Sequence, residues 1–313
     1  MSIWTAINQR LVNRAEALGQ WARLIKLPFF DGEPLYDVAA FFWKGIVDGA
    51  ISTRASAIAF NFILAMFPAI IFVFTLIPFI PIDNFQEQLL ILLQSILPHD
   101  AFAAIQGTIE DIITQPRGGL LSFGFLAAFL FATNGIVSVI SAFNGTIHAI
   151  ETRSWINQYL VALILAIILT LLMTLSITLI TLGQAVLNFL VREGLIQINL
   201  TYLLLGGKWL IICALFFFSY AFLFYLAPAR KTKFRFISAG GTLATILTIL
   251  TTIGFSYYIN NFGKYNILYG SIGTLVVVML AIYFNALILL IGFELNVSIW
   301  HSRRNNSDIV FEE

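Results

Sequence analysis

The chain has 313 residues and a net charge of +1, with 59% hydrophobic residues and only 11% charged residues. Soluble domains carry about 25% charged residues, so this composition and a mean hydropathy of +0.91 indicate that lipid solvates most of the chain. Composition therefore predicts a polytopic membrane protein. The small net charge argues against a nucleic-acid partner, because a nucleic-acid binder presents a broad basic surface.

Six stretches without Asp, Glu, Lys or Arg are long enough to cross a bilayer core, which needs ~20 apolar residues. The first is unusual because it contains Asn61 and Pro68, and such a break in lipid requires neighbouring helices or polar groups to satisfy the freed backbone atoms. The predicted fold class is therefore all-α, a polytopic bundle of six transmembrane helices in which the first span is an interior member. The six stretches are residues 55–82, 118–150, 154–191, 209–229, 236–263 and 265–293.

The basic residues orient these spans, because Lys and Arg concentrate on the cytoplasmic side of a membrane protein. The side that holds both termini has the larger share: Arg10, Arg14, Arg23, Lys26, Lys44, Arg54, Arg153, Arg230, Lys231, Lys233, Arg235, Arg303 and Arg304. The opposite side has Arg117, Arg192, Lys208 and Lys264. Both termini are therefore predicted to be cytoplasmic.

Two amphipathic regions flank the first span. Residues 35–51 predict an in-plane helix on the inner leaflet. The outer loop, residues 83–117, predicts a pair of amphipathic helices separated by Pro98, which act as a lid over a cavity or as a structural cap and offer a site for a protein partner. The expected organisation is a cytoplasmic segment 1–34, one transmembrane domain 35–300 and a cytoplasmic tail 301–313. The predicted apolar face of the in-plane helix is Leu35, Val38, Ala39, Phe42 and Ile46.

Four segments in a fixed order resemble one family. They are residues 54–61 (RASAIAFN) followed by Pro68, residues 144–155, residues 269–271 and residues 292–296. Together they are similar to the YihY/BrkB family of bacterial inner-membrane proteins, formerly labelled ribonuclease BN. The resemblance implies a six-helix integral inner-membrane protein, with transport of lipids or lipopolysaccharide precursors suggested for some relatives and serum resistance for others. It supplies no set of catalytic residues.

The sequence lacks recognisable catalytic and metal-binding patterns. A zinc site needs three or four converging ligands, and the predicted topology places His99 on the opposite side of the membrane from His148 and His301. No H-E-x-x-H, P-loop or nucleophile-elbow motif is present. A hydrolytic ribonuclease needs a metal or acid–base cluster beside a basic surface, so ribonuclease activity is disfavoured and neither an enzyme nor a cofactor is expected.

Charged and polar residues within the spans are the functional candidates, because a charge buried in lipid without a partner is costly. Arg54 and Glu294 fall on the same side of the predicted topology, so we expect them to pair directly or through Asn61 and Asn296. The alternative is that Glu294 snorkels to the interface. The candidates are Arg54, Asn61, Pro68, Asn134, Asn144, Asn285, Glu294 and Asn296, and a transporter is expected to have a cleft lined by Asn61, Asn134, Asn144 and Asn285.

Polar and small residues recur in the second span, where Ser138, Ser141 and Thr146 accompany two Asn-Gly pairs and favour an interior face. A basic inner loop lies between the fourth and fifth spans. It is either a topology determinant or a site for anionic lipid headgroups, and its residues are Arg230, Lys231, Lys233 and Arg235.

These features favour a transporter or flippase-like protein for a lipid or another amphiphile, with membrane lipids as partners. The alternative is a non-transporting membrane scaffold or envelope assembly factor, in which the same small and polar residues only pack helices.

Overall fold

The computed structural model describes residues 25, 30, 32–79, 85–96, 106–107, 109–112, 115, 117–146, 153–193, 201–229, 237–261 and 264–310. The predictions for His99, His148 and the basic loop, Arg230, Lys231, Lys233 and Arg235, lie outside the described residues.

Helices make up the regular structure of these ranges. They are α1 (Leu35–Asp48), α2 (Ile51–Leu76), α3 (Phe85–Ile96), α4 (Gly118–Asn144), α5 (Trp155–Arg192), α6 (Thr201–Leu226), α7 (Ala239–Asn261) and α8 (Lys264–Val310). A 3₁₀ turn, Ile77–Phe79, extends α2, and no β-strand occurs among the described residues. In the outer loop, α3 forms the first of the two predicted helices, and residues 106–107 and 109–112 of the second are helical.

Among the described residues, six helices are long and apolar enough to cross a membrane. The predicted all-α fold with six transmembrane helices is therefore confirmed, and the chain is a multi-pass membrane protein. Pro68 lies inside α2 without ending it, whereas Pro78 lies in the 3₁₀ turn at its end. The six spans are Ile51–Phe79, Gly118–Asn144, Trp155–Val186, Gly206–Leu226, Ala239–Tyr258 and Leu275–Arg304.

The six spanning helices form a ring in sequence order. Each packs against the next along the chain, and α8 closes the ring by packing against α2. The prediction that the first span is an interior member is therefore wrong: α2 is one member of the ring, its span is the least buried of the six, and Phe60, Phe67 and Val73 are exposed.

Neighbours run antiparallel: Arg54 near the start of α2 bonds Ala142 near the end of α4, whereas Phe72 of α2 lies against Gly124 of α4. We call the contact between α2 and α8 the seam, because these two neighbours are the first and last spans and no loop joins them.

Burial is concentrated at one end of the ring. We call this the closed end; it comprises the first part of α2, α5 and α7, the last part of α4 and α6, and residues 286–302 of α8. Its buried side chains include Ala55, Ile140, Phe143, Ala227 and Leu290. Large apolar side chains are exposed on the outside of the ring at both ends, as expected for surfaces against lipid. At the closed end they include Phe60, Trp155 and Leu160. At the opposite, open end they include Phe67, Val73, Phe123, Leu126, Leu175, Leu182, Ile253, Leu275 and Met279.

Small residues bring α7 and α8 into close contact at the closed end. A Cβ atom on Gly240 would clash with the carbonyl oxygen of Gly292. Asn296 Oδ1 accepts a hydrogen bond from the Gly240 N–H (2.8 Å), and Asn296 Nδ2 donates to Ser238 Oγ (3.2 Å). Asn296 therefore ties the start of α7 to α8 and does not bridge Arg54 to Glu294.

Helix α1 packs on the part of α8 that follows Glu294. Val38 is 1% exposed and clusters with Leu295 and Ile299, so the apolar face that contains Val38 is turned toward the protein. Trp43 and Val47 are exposed, and so is Ala39, although it belongs to the predicted apolar face. The location of α1 in the plane of the leaflet stays a prediction.

Helix α8 runs past the predicted end of the sixth span at residue 293 and past residue 300. Its 47 residues correspond to about 70 Å at a rise of 1.5 Å per residue, more than twice the ~30 Å of a bilayer core. Beyond Glu294 it is covered by the segment before α1, where Ser302 Oγ donates to Glu33 Oε2 at 2.9 Å.

Candidate functional site

Arg54 and Glu294 form a direct ion pair across the seam. Arg54 Nη2 lies 2.7 Å from Glu294 Oε1, and the side chains are 11% and 0% exposed. The predicted pairing is confirmed. The alternative, in which Glu294 snorkels to the interface, is wrong, because α8 continues beyond Glu294 and α1 covers that part of it.

The end of α4 completes the surroundings of the pair. Arg54 Nη1 donates to the Ala142 carbonyl at 2.9 Å, where the negative end of the α4 dipole also favours a cation. Thr146 Oγ1 donates to Glu294 Oε2 at 2.9 Å. Gly145 permits this approach, since a Cβ atom there would come within 3.2 Å of Arg54 Cδ. The pair thus joins α2, α4 and α8.

Two buried polar atoms, one on Arg54 and one on the last residue of α4, have no hydrogen-bond partner among the described residues: Arg54 Nε and Asn144 Oδ1. Glu294 therefore engages Arg54 through one nitrogen, and the neighbouring Nε–H of the guanidinium fork is left open. Asn144 lies between Ala142 and Gly145, both of which Arg54 contacts. Buried polar atoms without partners are uncommon, and they point to a bound group.

An aromatic plug lies beside the ion pair. It consists of Phe143, Phe224 and Phe293. The rings of Phe143 and Phe293 stack with centroids 4.0 Å apart and an interplanar angle of 11°, and Phe224 lies 5.8 Å and 6.1 Å from them. Such apolar surroundings lower the local dielectric and strengthen the attraction between the two charges.

The predicted asparagines lie at separate points of the bundle. Asn61 Nδ2 donates to Ser138 Oγ on α4 (3.2 Å), as expected for a face turned toward the second span. Asn134 Oδ1 accepts from the Tyr159 hydroxyl, and Asn285 Nδ2 donates to the Ala281 carbonyl of its own helix. A shared cleft lined by these residues stays a prediction.

Sequence reasoning missed the structural role of Arg153. Its Nη1 donates to the carbonyls of Leu226 (2.9 Å) and Ala227 (2.8 Å), which satisfies acceptors at the end of α6. Burial lowers the pKa of the Arg153 guanidinium below its usual value. The available signal was an isolated Arg directly before a span, which was counted only as a topology determinant.

Metal ligands do not converge in the part of the chain that the structure describes: no group of three His, Cys, Asp or Glu side chains is placed to hold a metal ion.

Comparison with known proteins identifies the family. The family model described as "Virulence factor BrkB" matches residues 42–310, which include the six spans and both members of the ion pair. No solved structure matches the chain.

Several relatives match more than four fifths of this chain. The ribonuclease-like protein YfkH of Bacillus subtilis is 28% identical over 260 residues, 82% of this chain and 92% of YfkH. A UPF0761 membrane protein of Coxiella burnetii is 24% identical over 257 residues, 81% of this chain and 89% of that protein. The UPF0761 membrane protein Smlt0865 of Stenotrophomonas maltophilia is 25% identical over 268 residues, 82% of this chain and 59% of Smlt0865. With the family model covering most of its length, this chain belongs to the BrkB virulence-factor family of membrane proteins.

Proposed function

We propose that this protein is a transporter or flippase-like protein for a lipid or another amphiphile in the bacterial inner membrane, with both termini in the cytoplasm. The buried Arg54–Glu294 pair carries this proposal. In this mechanism the pair is a latch that holds α2 against α8, and the seam between them opens to admit the substrate.

The cost of burying the two charges supports a functional role. A buried ion pair contributes little net stability, since desolvation offsets most of the attraction, and well-packed apolar residues often stabilise the same position better. Ionisable residues inside membrane spans therefore commonly mark substrate or ion pathways. Glu294 is the only Asp or Glu within the six spans, and its partner lies on the one neighbouring span to which no loop connects it.

The uneven packing of the ring also supports transport. Alternating access requires one end of a bundle to be sealed while the other is accessible. At the closed end the concentration of buried side chains, the aromatic plug and the ion pair provide such a seal. The distribution of the basic residues favours a closed end on the cytoplasmic side.

The rival proposal is a membrane scaffold or envelope assembly factor, in which α3 (Phe85–Ile96) offers a surface to a partner. One observation favours it: Asn61, Asn134 and Asn285 each have a partner within the bundle, as in static helix packing. The ribonuclease-like name of YfkH is not extended to this chain, because a nuclease needs converging acid–base or metal-binding groups beside a basic surface. We propose that the chain is not an enzyme.

Translocation in liposomes tests the proposal. The protein is reconstituted with a trace of headgroup-labelled phospholipid, and a membrane-impermeant quencher reports label arriving in the outer leaflet. We expect protein-dependent translocation that is lost in Arg54→Ala and retained in Arg117→Ala, which removes an exposed pair to Asp111. Rates equal to those of protein-free liposomes, together with a stable copurifying partner, would favour the scaffold.

A further inference from the structure

We propose that Arg54 is the binding site for the anionic headgroup of the substrate and that the Glu294 carboxylate is the resident competitor that occupies this site between transport events. The proposal rests on the proposed function and names its substrate class: a phosphate-bearing lipid whose headgroup also carries an O–H or N–H donor.

The donor of the guanidinium that has no partner among the described residues supports this assignment. Arginine binds phosphate and carboxylate best in a bidentate manner, through two parallel N–H donors. Glu294 uses only Nη2, because its second oxygen accepts from Thr146. Arg54 Nε is buried and has no partner among the described residues. A phosphate that displaces Glu294 gains both donors of the fork, whereas the resident carboxylate has one.

Asn144 indicates that the ligand also carries a hydrogen-bond donor. Its buried Oδ1 is an acceptor without a partner among the described residues, and it lies in the turn of α4 that Arg54 contacts. An acceptor repels a bare phosphate oxygen but binds a hydroxyl or ammonium group. The ligand therefore presents an anion to Arg54 and a donor to Asn144, which matches the phosphate and glycerol hydroxyls of phosphatidylglycerol.

The depth of the site fits a lipid headgroup. Arg54 is the fourth residue of the span Ile51–Phe79, about 5 Å from its beginning at 1.5 Å per residue. Phosphates of a bilayer leaflet lie close to the ends of the spans. A lipid that enters through the seam thus carries its phosphate to the level of Arg54 while its acyl chains stay between α2 and α8.

Glu294 provides the counter-ion for Arg54 whenever no headgroup is bound. When the headgroup leaves, the carboxylate returns to Arg54, so the guanidinium is never buried without a counter-ion. Loss of the Glu294 charge therefore favours the lipid-bound form, and loss of the Arg54 charge removes the site.

Lipid occupancy in nanodiscs, measured by native mass spectrometry, tests this inference. Wild type, Glu294→Gln, Arg54→Gln and Asn144→Ala are compared with phosphatidylglycerol and with phosphatidylcholine, which lacks the donor. The matched control is Glu33→Gln, which neutralises a buried acid bonded to Ser302.

We expect Glu294→Gln to bind phosphatidylglycerol about tenfold more tightly, a difference typical of one charge-assisted contact. We expect Arg54→Gln to lose the preference over phosphatidylcholine and Glu33→Gln to behave as wild type. Asn144→Ala removes an atom without a partner and should fold normally. It should bind phosphatidylglycerol several-fold more weakly, so the test holds even if Glu294→Gln does not fold.

Equal occupancy in wild type, Glu294→Gln and Asn144→Ala would overturn the inference. Displacement of the lipid by inorganic phosphate alone would assign the site to free phosphate and overturn the lipid assignment. The liposome assay separates the two proposals: the expected occupancies without translocation contradict the transporter, and translocation with unchanged occupancies contradicts only the headgroup site.

Discussion

Two Arg–carboxylate pairs of nearly equal length lie at opposite ends of the bundle. Arg54 and Glu294 are 2.7 Å apart with side chains 11% and 0% exposed, whereas Arg117 and Asp111 are 2.6 Å apart with side chains 47% and 42% exposed. Solvent screens the second pair and limits an exposed pair to about 0–1 kcal/mol. The distance between the charged groups therefore does not predict how much a pair contributes to stability. The burial of the two side chains does.

Removal of one partner of the buried pair has the largest expected effect on stability. Glu294→Ala leaves Arg54 buried without its counter-ion, and we expect the free energy of unfolding to fall by about 3–5 kcal/mol. Asp111→Ala at the exposed pair should cost less than about 1 kcal/mol. Denaturant unfolding of the purified protein in detergent measures both. If Glu294→Ala and Asp111→Ala lowered the free energy of unfolding by similar amounts, the larger contribution assigned to the buried pair would be contradicted.

Packing between α7 and α8 provides the next test, because it holds Gly292 and Asn296, the residues of α8 that flank Glu294. The added methyl group in Gly240→Ala meets the Gly292 carbonyl and the Asn296 side chain, so we expect a loss of about 1–3 kcal/mol from overpacking. Gly254→Ala, on the same helix with nothing within 4 Å of its Cβ position, should be neutral or slightly stabilising. A neutral Gly240→Ala would show that the two helices are not held this closely.

The end of α6 offers a smaller perturbation at the same closed end. Arg153→Ala removes a donor to two carbonyls at this helix terminus. Hydrogen bonds to a charged group contribute about 1.5–3 kcal/mol, and we expect a loss of about 1–2 kcal/mol because Arg153 is only half-buried. Arg153→Lys should recover part of the loss, because a lysine retains the charge but not the planar guanidinium. Unfolding by denaturant again supplies the measurement, and no change in Arg153→Ala would contradict the capping role.

The smallest expected effect is at Asn61. Asn61→Leu removes the hydrogen bond to Ser138, and polar contacts between membrane helices contribute about 0.6 kcal/mol on average. Asn285→Leu removes a bond within its own helix, so it should leave the contact between helices unchanged. A transport defect in Asn61→Leu much larger than its small loss of stability would assign the residue a role in function as well as in packing.

Much of the fold could be predicted because charges are scarce. The uncharged stretches located the six spans, and the isolation of Arg54 and Glu294 within them was sufficient to predict their pairing. The length of α8 could not be predicted in this way, since Arg303 and Arg304 indicate the end of a span but not the end of a helix. The sequence also could not show that α1 covers the segment after Glu294 and thereby buries it.

The packing of α8 against α2 that closes the ring could not be predicted either, because uncharged stretches locate the spans but do not show which spans are neighbours. Arg153 illustrates a second limit. Its position before a span indicates topology whether or not its side chain bonds to α6, and only the packing of α5 against α6 separates the two roles. The contact of Asn61 with a neighbouring helix was easier to predict, since a polar residue within a span needs a partner.

Reversible cross-linking of the seam tests the central claim most directly. Ser52 Oγ and the Tyr283 hydroxyl are 2.9 Å apart across α2 and α8, and Ser141 Oγ and Gln158 Nε2 are 2.8 Å apart across α4 and α5. In a Cys213→Ser background, each pair is replaced by cysteines and joined with a short thiol-reactive, reducible cross-linker. We predict that the seam cross-link stops lipid translocation in liposomes until it is reduced, while the α4–α5 cross-link does not. Full translocation with the seam cross-linked would contradict the account.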